Sequence, residues 1–320
     1  MTQVTPIPLA ASYVAAFVPD ETGEDAVALG RFLVTGTDIS LTVCTVVPHT
    51  ATGGDAAYGA LGYASVVADR LQPIFEAMMN DLAPLDVSHT VRLSPSVGVG
   101  LLDYASEVGA SMLILGSART GVSGRYAVGS VGGLLQHASP IPLAFAPQGF
   151  AQSATESVQR IVCGYSQSPD SPQALSAAIE LCRTHGVPLQ LVTFVFSEYP
   201  LLRHIPGQGP ARFDTTAQSA AARTQLEAVA AAVPEDIEVE IFVRVGGNIA
   251  QAVARAEWHD GDLLVLGSAP MGPFARVFLG STALKLVRCC PVPVIAVPRP
   301  ATSEAATGSD RADIQIPENK

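Results

Sequence analysis

Ser111-Met-Leu-Ile-Leu-Gly-Ser-Ala118 and Asp262-Leu-Leu-Val-Leu-Gly-Ser-Ala269 are two copies of one phrase, 151 positions apart (267 − 116 for their glycines). The offset holds downstream without a gap: Arg125 matches Arg276, Gly129-Ser130 matches Gly280-Ser281, Pro140 and Pro142 match Pro291 and Pro293, and Pro147 matches Pro298. Self-similarity at a fixed period means one structural unit used twice. The chain of 320 residues is long enough for two such units, each able to bury a core of its own.

Outward from that phrase, each half alternates strand and helix signals. Ser12 to Val18 and Arg160 to Tyr165 are short apolar runs, each followed by a turn and a helix start. In the second half Ser171 reads as an N-cap with Pro172 at the first helical position. Leu41 to Val47 and Pro188 to Phe196 are near-continuous apolar runs of strand length, expected where both faces of a sheet are covered. A loop follows each, Pro48 to Asp55 and Ser197 to Pro210, and then an Ala-rich helix ending near Leu82 and Ala232. Thr90 to Leu93 and Val239 to Val245 give a third strand, with Ser96 and Asn248 capping the next helix; Met112 to Leu115 and Leu263 to Leu266 give a buried fourth. Strands joined by helical crossovers form parallel sheets wrapped by helices, with ligand clefts at the carboxyl ends of the strands. That places the clefts beside Gly116 and Gly267. The final strands, Pro140 to Ala146 and Pro291 to Val297, carry alternating prolines, read here as edges available for contact between the halves.

Composition narrows the function classes. With 29 acidic against 18 basic residues the net charge is −11, and no Lys/Arg cluster offsets it, so nucleic acid and anionic membranes are repelled. No apolar run reaches the roughly 18–20 residues that cross a bilayer, and the apolar run Ile7 to Val18 lacks the basic start of a secretory signal, so a cytoplasmic protein is expected. The five cysteines lack C-x-x-C spacing, which suggests neither a disulfide framework nor zinc; Cys289-Cys290 reads as a buried, inert pair. No two of the six histidines fall at helical metal-pair spacing, and all are read as surface or loop residues. Gly98-x-Gly100-x-x-Asp103 mimics a dinucleotide fingerprint without its acidic partner, Gly246-Gly247-Asn248 reads as a bend plus cap, and no Gly-x-Ser-x-Gly elbow occurs. Trp258 reads as packing.

Strand, Gly-x-x-Gly, nine residues, Gly-Ser, helix and a proline-led last strand resemble the universal stress protein family, here as a tandem member. The resemblance implies two flavodoxin-like (adenine nucleotide alpha hydrolase-like) sandwiches. Each would hold a five-stranded parallel sheet with helices on both faces, the two related by a pseudo-two-fold. The units are placed at 1–150 and 151–299, with a flexible tail over 300–320. The resemblance also implies ATP, with or without magnesium, as the possible ligand, its phosphates cradled by the glycine loop and its adenosine end near an Asp after the first strand. Candidate ligand residues are Gly116, Arg119, Arg125, Gly129 and Ser130 in the first half and Ser166, Gly267, Arg276, Gly280 and Ser281 in the second.

Backbone amides at a helix start attract anions, and glycine lets a phosphate oxygen come close. Both halves depart from the pattern at its second glycine, which is Arg119 in one and Pro270 in the other. Arg119 still offers a guanidinium, whereas Pro270 removes an N–H, so the first cleft is expected to bind better. The family's Asp falls at Val18 and Ser166, and each lost partner weakens binding by roughly 1–3 kcal/mol. Three functions stay open: a non-catalytic stress-response accessory protein with weakened or altered nucleotide clefts, an ATP-binding switch or weak ATPase using the first cleft, and an interaction module with vestigial clefts. An unknown protein partner, and a homodimer beyond the intramolecular pseudo-dimer, are compatible with each.

Overall fold

A computed structural model of the chain describes residues 12–49, 54–119, 123–166, 171–197, 215–268 and 280–298. The tail from 300 on, Arg276, Pro270, His204 and most of the loop after Ser197 lie outside the described residues.

The first half runs β1 (Ser12–Ala16), α1 (Glu21–Val34), β2 (Ser40–Pro48), α2 (Gly54–Leu82), β3 (Val87–Ser94), α3 (Val97–Glu107), β4 (Met112–Leu115), α4 (Ser130–Ala138) and β5 (Leu143–Phe145). A short helix, α5 (Phe150–Ser153), leads into the second half: β6 (Arg160–Gly164), α6 (Ser171–His185), β7 (Leu189–Phe196), α7 (Thr216–Ala230), β8 (Val239–Gly246), α8 (Ile249–Ala254), β9 (Asp262–Gly267), α9 (Ser281–Cys289) and β10 (Val294–Val297). The caps read from the sequence are in place. Ser96 accepts from the Val99 amide at 3.3 Å and Asn248 from the Gln251 amide at 2.9 Å. The Gly98-x-Gly100 motif serves packing: a Cβ on Gly98 would lie 2.8 Å from Leu134, and one on Gly100 would lie 2.7 Å from Val46, so the two glycines let α3 sit close to α4 and the sheet. Trp258 packs as expected, its indole N–H donating to the Val253 carbonyl at 2.9 Å.

Among the described residues ten strands form one sheet in the order β3-β2-β1-β4-β5-β10-β9-β6-β7-β8. Neighbours within each half are parallel, and only β5 and β10 run antiparallel. Their register carries the symmetry. Ala144 pairs with Ile295, an offset of 151 (295 − 144), while Leu143 pairs with Ala296 and Phe145 with Val294. The repeat read along the sequence therefore maps onto a pseudo-two-fold passing through the Ala144–Ile295 pair.

The last strands do join the halves, but not as edges. Pro140, Pro142, Pro291 and Pro293 precede the strands, and each of the two strands is paired on both sides. The Pro142 and Pro293 carbonyls accept from the Leu113 and Leu264 amides at 3.0 Å each, so these prolines lose no bond that the sheet needs. Side chains alternate across the seam. Ala144, Ile295 and Val297 point into one core layer with Tyr13, Leu29, Ile161 and Leu263, whereas Leu143, Phe145, Val294 and Ala296 point into the other with Leu101, Leu135 and Leu264. Each layer is thus continuous across the two halves.

Candidate functional site

Where β1 and β4 end, the chain opens a cavity of about 190 Å3 walled by Phe17, Val18, Val46, Leu101, Leu115 and Tyr126. Gly116, Gly129 and Ser130 line it as expected. Gly116 is required by close approach: a Cβ there would lie 1.8 Å from the Thr22 carbonyl oxygen, where the end of β4 meets the start of α1. Gly129 caps α4 without a side-chain acceptor, so the amides of the helix's first turn face the cleft. Ser117 closes the floor, its hydroxyl accepting from the Ala127 amide at 2.8 Å.

Neither arginine assigned to this cleft is among its walls. Arg119 turns back to Asp20, with Nε 3.2 Å from Oδ2. Arg125 leaves the first half altogether: its guanidinium donates to the Cys289 carbonyl, the last residue of α9, and holds the two halves together. Arg125 sits on the turn at Gly124, which two bonds tie to the segment after β5: the Gly124 amide donates to the Gln148 carbonyl at 2.8 Å and the Gln148 amide to the Arg125 carbonyl at 3.0 Å.

The sequence reading missed Asp20. Val18, where the family's Asp was expected, lines the cavity and is 41% exposed, and the carboxylate stands two residues later as the N-cap of α1. It accepts from the Thr22 and Gly23 amides at 2.9 and 3.2 Å and from the Thr22 hydroxyl at 2.6 Å. Burial alone would push its pKa up, but the Thr22 hydroxyl, the Gly23 and Thr22 amides and Arg119 together bring it below the usual carboxylate range. The run Pro19-Asp20-Glu21-Thr22 is a cap signature that would have located it.

The second cleft lies at the ends of β6 and β9 and measures about 460 Å3. Ser166, Gly267, Gly280 and Ser281 are all in its walls, together with Phe194 and Phe196. The Ser171 hydroxyl accepts from the Ser166 amide at 3.1 Å, which closes the turn onto α6; Ser171 is the first residue of that helix. Ser268, the counterpart of Ser117, is 1% exposed and lines the cleft, and its hydroxyl has no partner among the described residues. Arg276 and Pro270, on which the comparison of the two loops partly rested, lie outside the described residues.

Cys44 and Tyr126 line the first cleft and Tyr165 the second, each with its pKa raised by burial. Among the described residues, no group of three His, Cys, Asp or Glu side chains could hold a metal ion. His89 is exposed, as the surface reading expects, whereas His185 is half-buried and departs from it. His89 stacks on Phe75 with ring centroids 4.3 Å apart. His185 ends α6 with Nε2 buried and unpartnered, and burial pulls its pKa down to about 4. Cys290 is buried as expected, its thiol pushed up to about 12 by burial, and Cys289 is half-buried.

A model described as the universal stress protein family matches residues 15–147 and again 157–298. The chain belongs to the universal stress protein family. Universal stress proteins of Mycobacterium bovis and Mycobacterium tuberculosis are 35% identical over 216 residues, covering 67% of this chain and 73% of theirs. Among solved structures, a universal stress protein from Archaeoglobus fulgidus superposes with a TM-score of 0.62 at 18% identity, covering 89% of this chain and 97% of its own. A putative universal stress protein from Pseudomonas aeruginosa gives 0.54 at 13% identity, covering 90% and 93%. At such identities the structures establish the fold: two adenine nucleotide alpha hydrolase-like units in tandem. Among the described residues no helix is long and apolar enough to cross a membrane.

Proposed function

We propose that this stress-response protein is a non-catalytic, cytoplasmic accessory protein whose second cleft is the nucleotide-type site, the first having lost that capacity. One observation carries the reading: the second cleft measures about 460 Å3 and the first about 190 Å3. Drug-sized ligands occupy pockets of roughly 300–1,000 Å3, a range that includes the second and excludes the first. The residues present fit an adenine nucleotide. The first-turn amides of α9, behind Gly280, offer the positive end of a helix dipole to phosphate, the Ser268 side chain lies in the cleft wall, and Phe194 and Phe196 supply apolar walls for a base. This reverses the preference for the first half, which rested on Arg119 against Pro270; Arg119 pairs with Asp20, and Arg125 donates to the Cys289 carbonyl.

Millimolar Mg-ATP is expected to raise the melting temperature, because a ligand bound only by the folded state stabilises it. Gly280→Val should abolish that rise and Gly129→Val should leave it intact. The opposite pattern, or no rise in the wild type, rejects the reading.

A second reading, an interaction module, is favoured by α2, where Tyr63, Val66 and Ile74 share one face at 61%, 55% and 40% exposure. It predicts that a partner is lost on Val66→Glu while the response to Mg-ATP is unchanged.

A further inference from the structure

We propose that the first cleft is a binding site for a small neutral molecule built on a single aromatic ring. Size is the first reason. An apolar cavity of about 150 Å3 takes a benzene ring, and the first cleft offers about 190 Å3, enough for a ring with a small substituent and too little for base, sugar and phosphates together. The walls are the second. Val46, Leu101 and Leu115 line the cavity with the rings of Phe17 and Tyr126, and buried Cys44 joins them, a thiol that burial pushes up to about 12 and so holds neutral. An aromatic ring meets such walls through dispersion and ring-edge contacts.

Charge is the third reason. Asp20 lies between the lining residues Val18 and Thr22, and Arg119 follows the lining residue Ala118, so this ion pair flanks the mouth and cancels there. What remains is about half a positive charge at the start of α4, weak compared with a fixed cation. Two polar side chains of the lining are already engaged, Thr22 with Asp20 at 2.6 Å and Ser117 with the Ala127 amide at 2.8 Å. A cation would surrender its hydration without gaining a matched partner, and an anion would find only the uncapped first-turn amides of α4. Val18, 41% exposed at the rim, completes an apolar entry.

The probe is p-cresol, uncharged at pH 7, added to the full chain. At about five times its Kd it is expected to raise the melting temperature by about 1–2 °C. Benzoate, of similar size but charged, should bind at least tenfold more weakly. Ala16→Leu, which extends a side chain from the end of β1 into the cavity, should remove the response to p-cresol. Gly280→Val should leave that response unchanged, which separates this inference from the proposed nucleotide site: either can fail alone. Should Ala16→Leu not fold, crystals of the wild type soaked in 4-bromophenol give the answer, since anomalous scattering places the bromine. Bromine between Val46, Leu101 and Tyr126 supports the proposal. Bromine elsewhere only, no thermal response in the wild type, a response that survives Ala16→Leu, or benzoate binding as tightly as p-cresol overturns it.

Discussion

The halves of this protein share strand order, crossover helices and the glycine that ends the fourth strand, yet they tie their first and fourth strands together by opposite means. In the second half Arg160 on β6 forms a two-pronged ion pair with Asp262 on β9, at 2.8 and 2.7 Å, and Asp262 also accepts from the His259 amide. Asp262 is 1% exposed. In the first half the same junction is a Ser111 hydroxyl donating to the Ser12 carbonyl at 3.0 Å. The clefts diverge in the same spirit, one narrowed by Tyr126 and α3 and flanked by a closed ion pair, the other roomier. Duplication copied the scaffold, and the polar residues on it have since taken different partners.

The largest contrast is expected from removing one member of the buried pair. Asp262→Ala leaves Arg160, 16% exposed, without its counter-charge and should cost about 3–5 kcal/mol, whereas Ser111→Ala should cost about 0.5–1.5 kcal/mol. Urea titration of both variants, followed by circular dichroism, tests the ratio; equal losses would mean the junctions are equivalent after all.

Next comes the strut between the halves. Arg125→Met removes a charged donor from the Cys289 carbonyl and should cost about 1.5–3 kcal/mol. Because both core layers run unbroken through β5 and β10, the loss should appear in the cooperativity of the whole chain. A variant with an unchanged denaturant midpoint and slope would show that Arg125 is a surface residue, as a solvated loop arginine would be.

The smallest effect depends on pH. Helix α1 ends on Val34, while α6 ends on His185. Burial holds His185 neutral in the folded state, with its pKa near 4 against about 6.5 unfolded. The unfolded chain therefore takes up the proton first. The stability contributed by the neutral ring is complete above about pH 6.5 and is lost as pH falls toward 4. His185→Val, which copies the first half, should flatten that part of the profile; melting temperatures measured from pH 7.5 to 4.5 in both proteins decide it.

Much of this architecture was legible in the chain. The repeat at 151 residues predicted two like halves, and the Ala144–Ile295 pair of the sheet keeps that same offset, because a register held over that length preserves which residues face each core layer. Ser96 and Asn248 were legible as caps because a cap acts on amides three residues away, a distance the sequence shows directly. The proline-led strands misled, since alternating prolines resemble an edge unless one sees that they stop short of the paired residues. Asp20 was missed for a different reason: the search looked where the family keeps its carboxylate, and the chain places its own at the helix cap.

By itself the sequence determined the alternation of strands and helices, its duplication, and the glycines that let β4 and α1 touch, because each follows from local periodicity and from the space around one backbone atom. Tertiary structure alone decided which cleft is roomy and where the arginines point. Arg125 reaches a carbonyl 164 residues away, and cavity volume is what remains once side chains from several elements have packed; neither quantity belongs to any short stretch of chain.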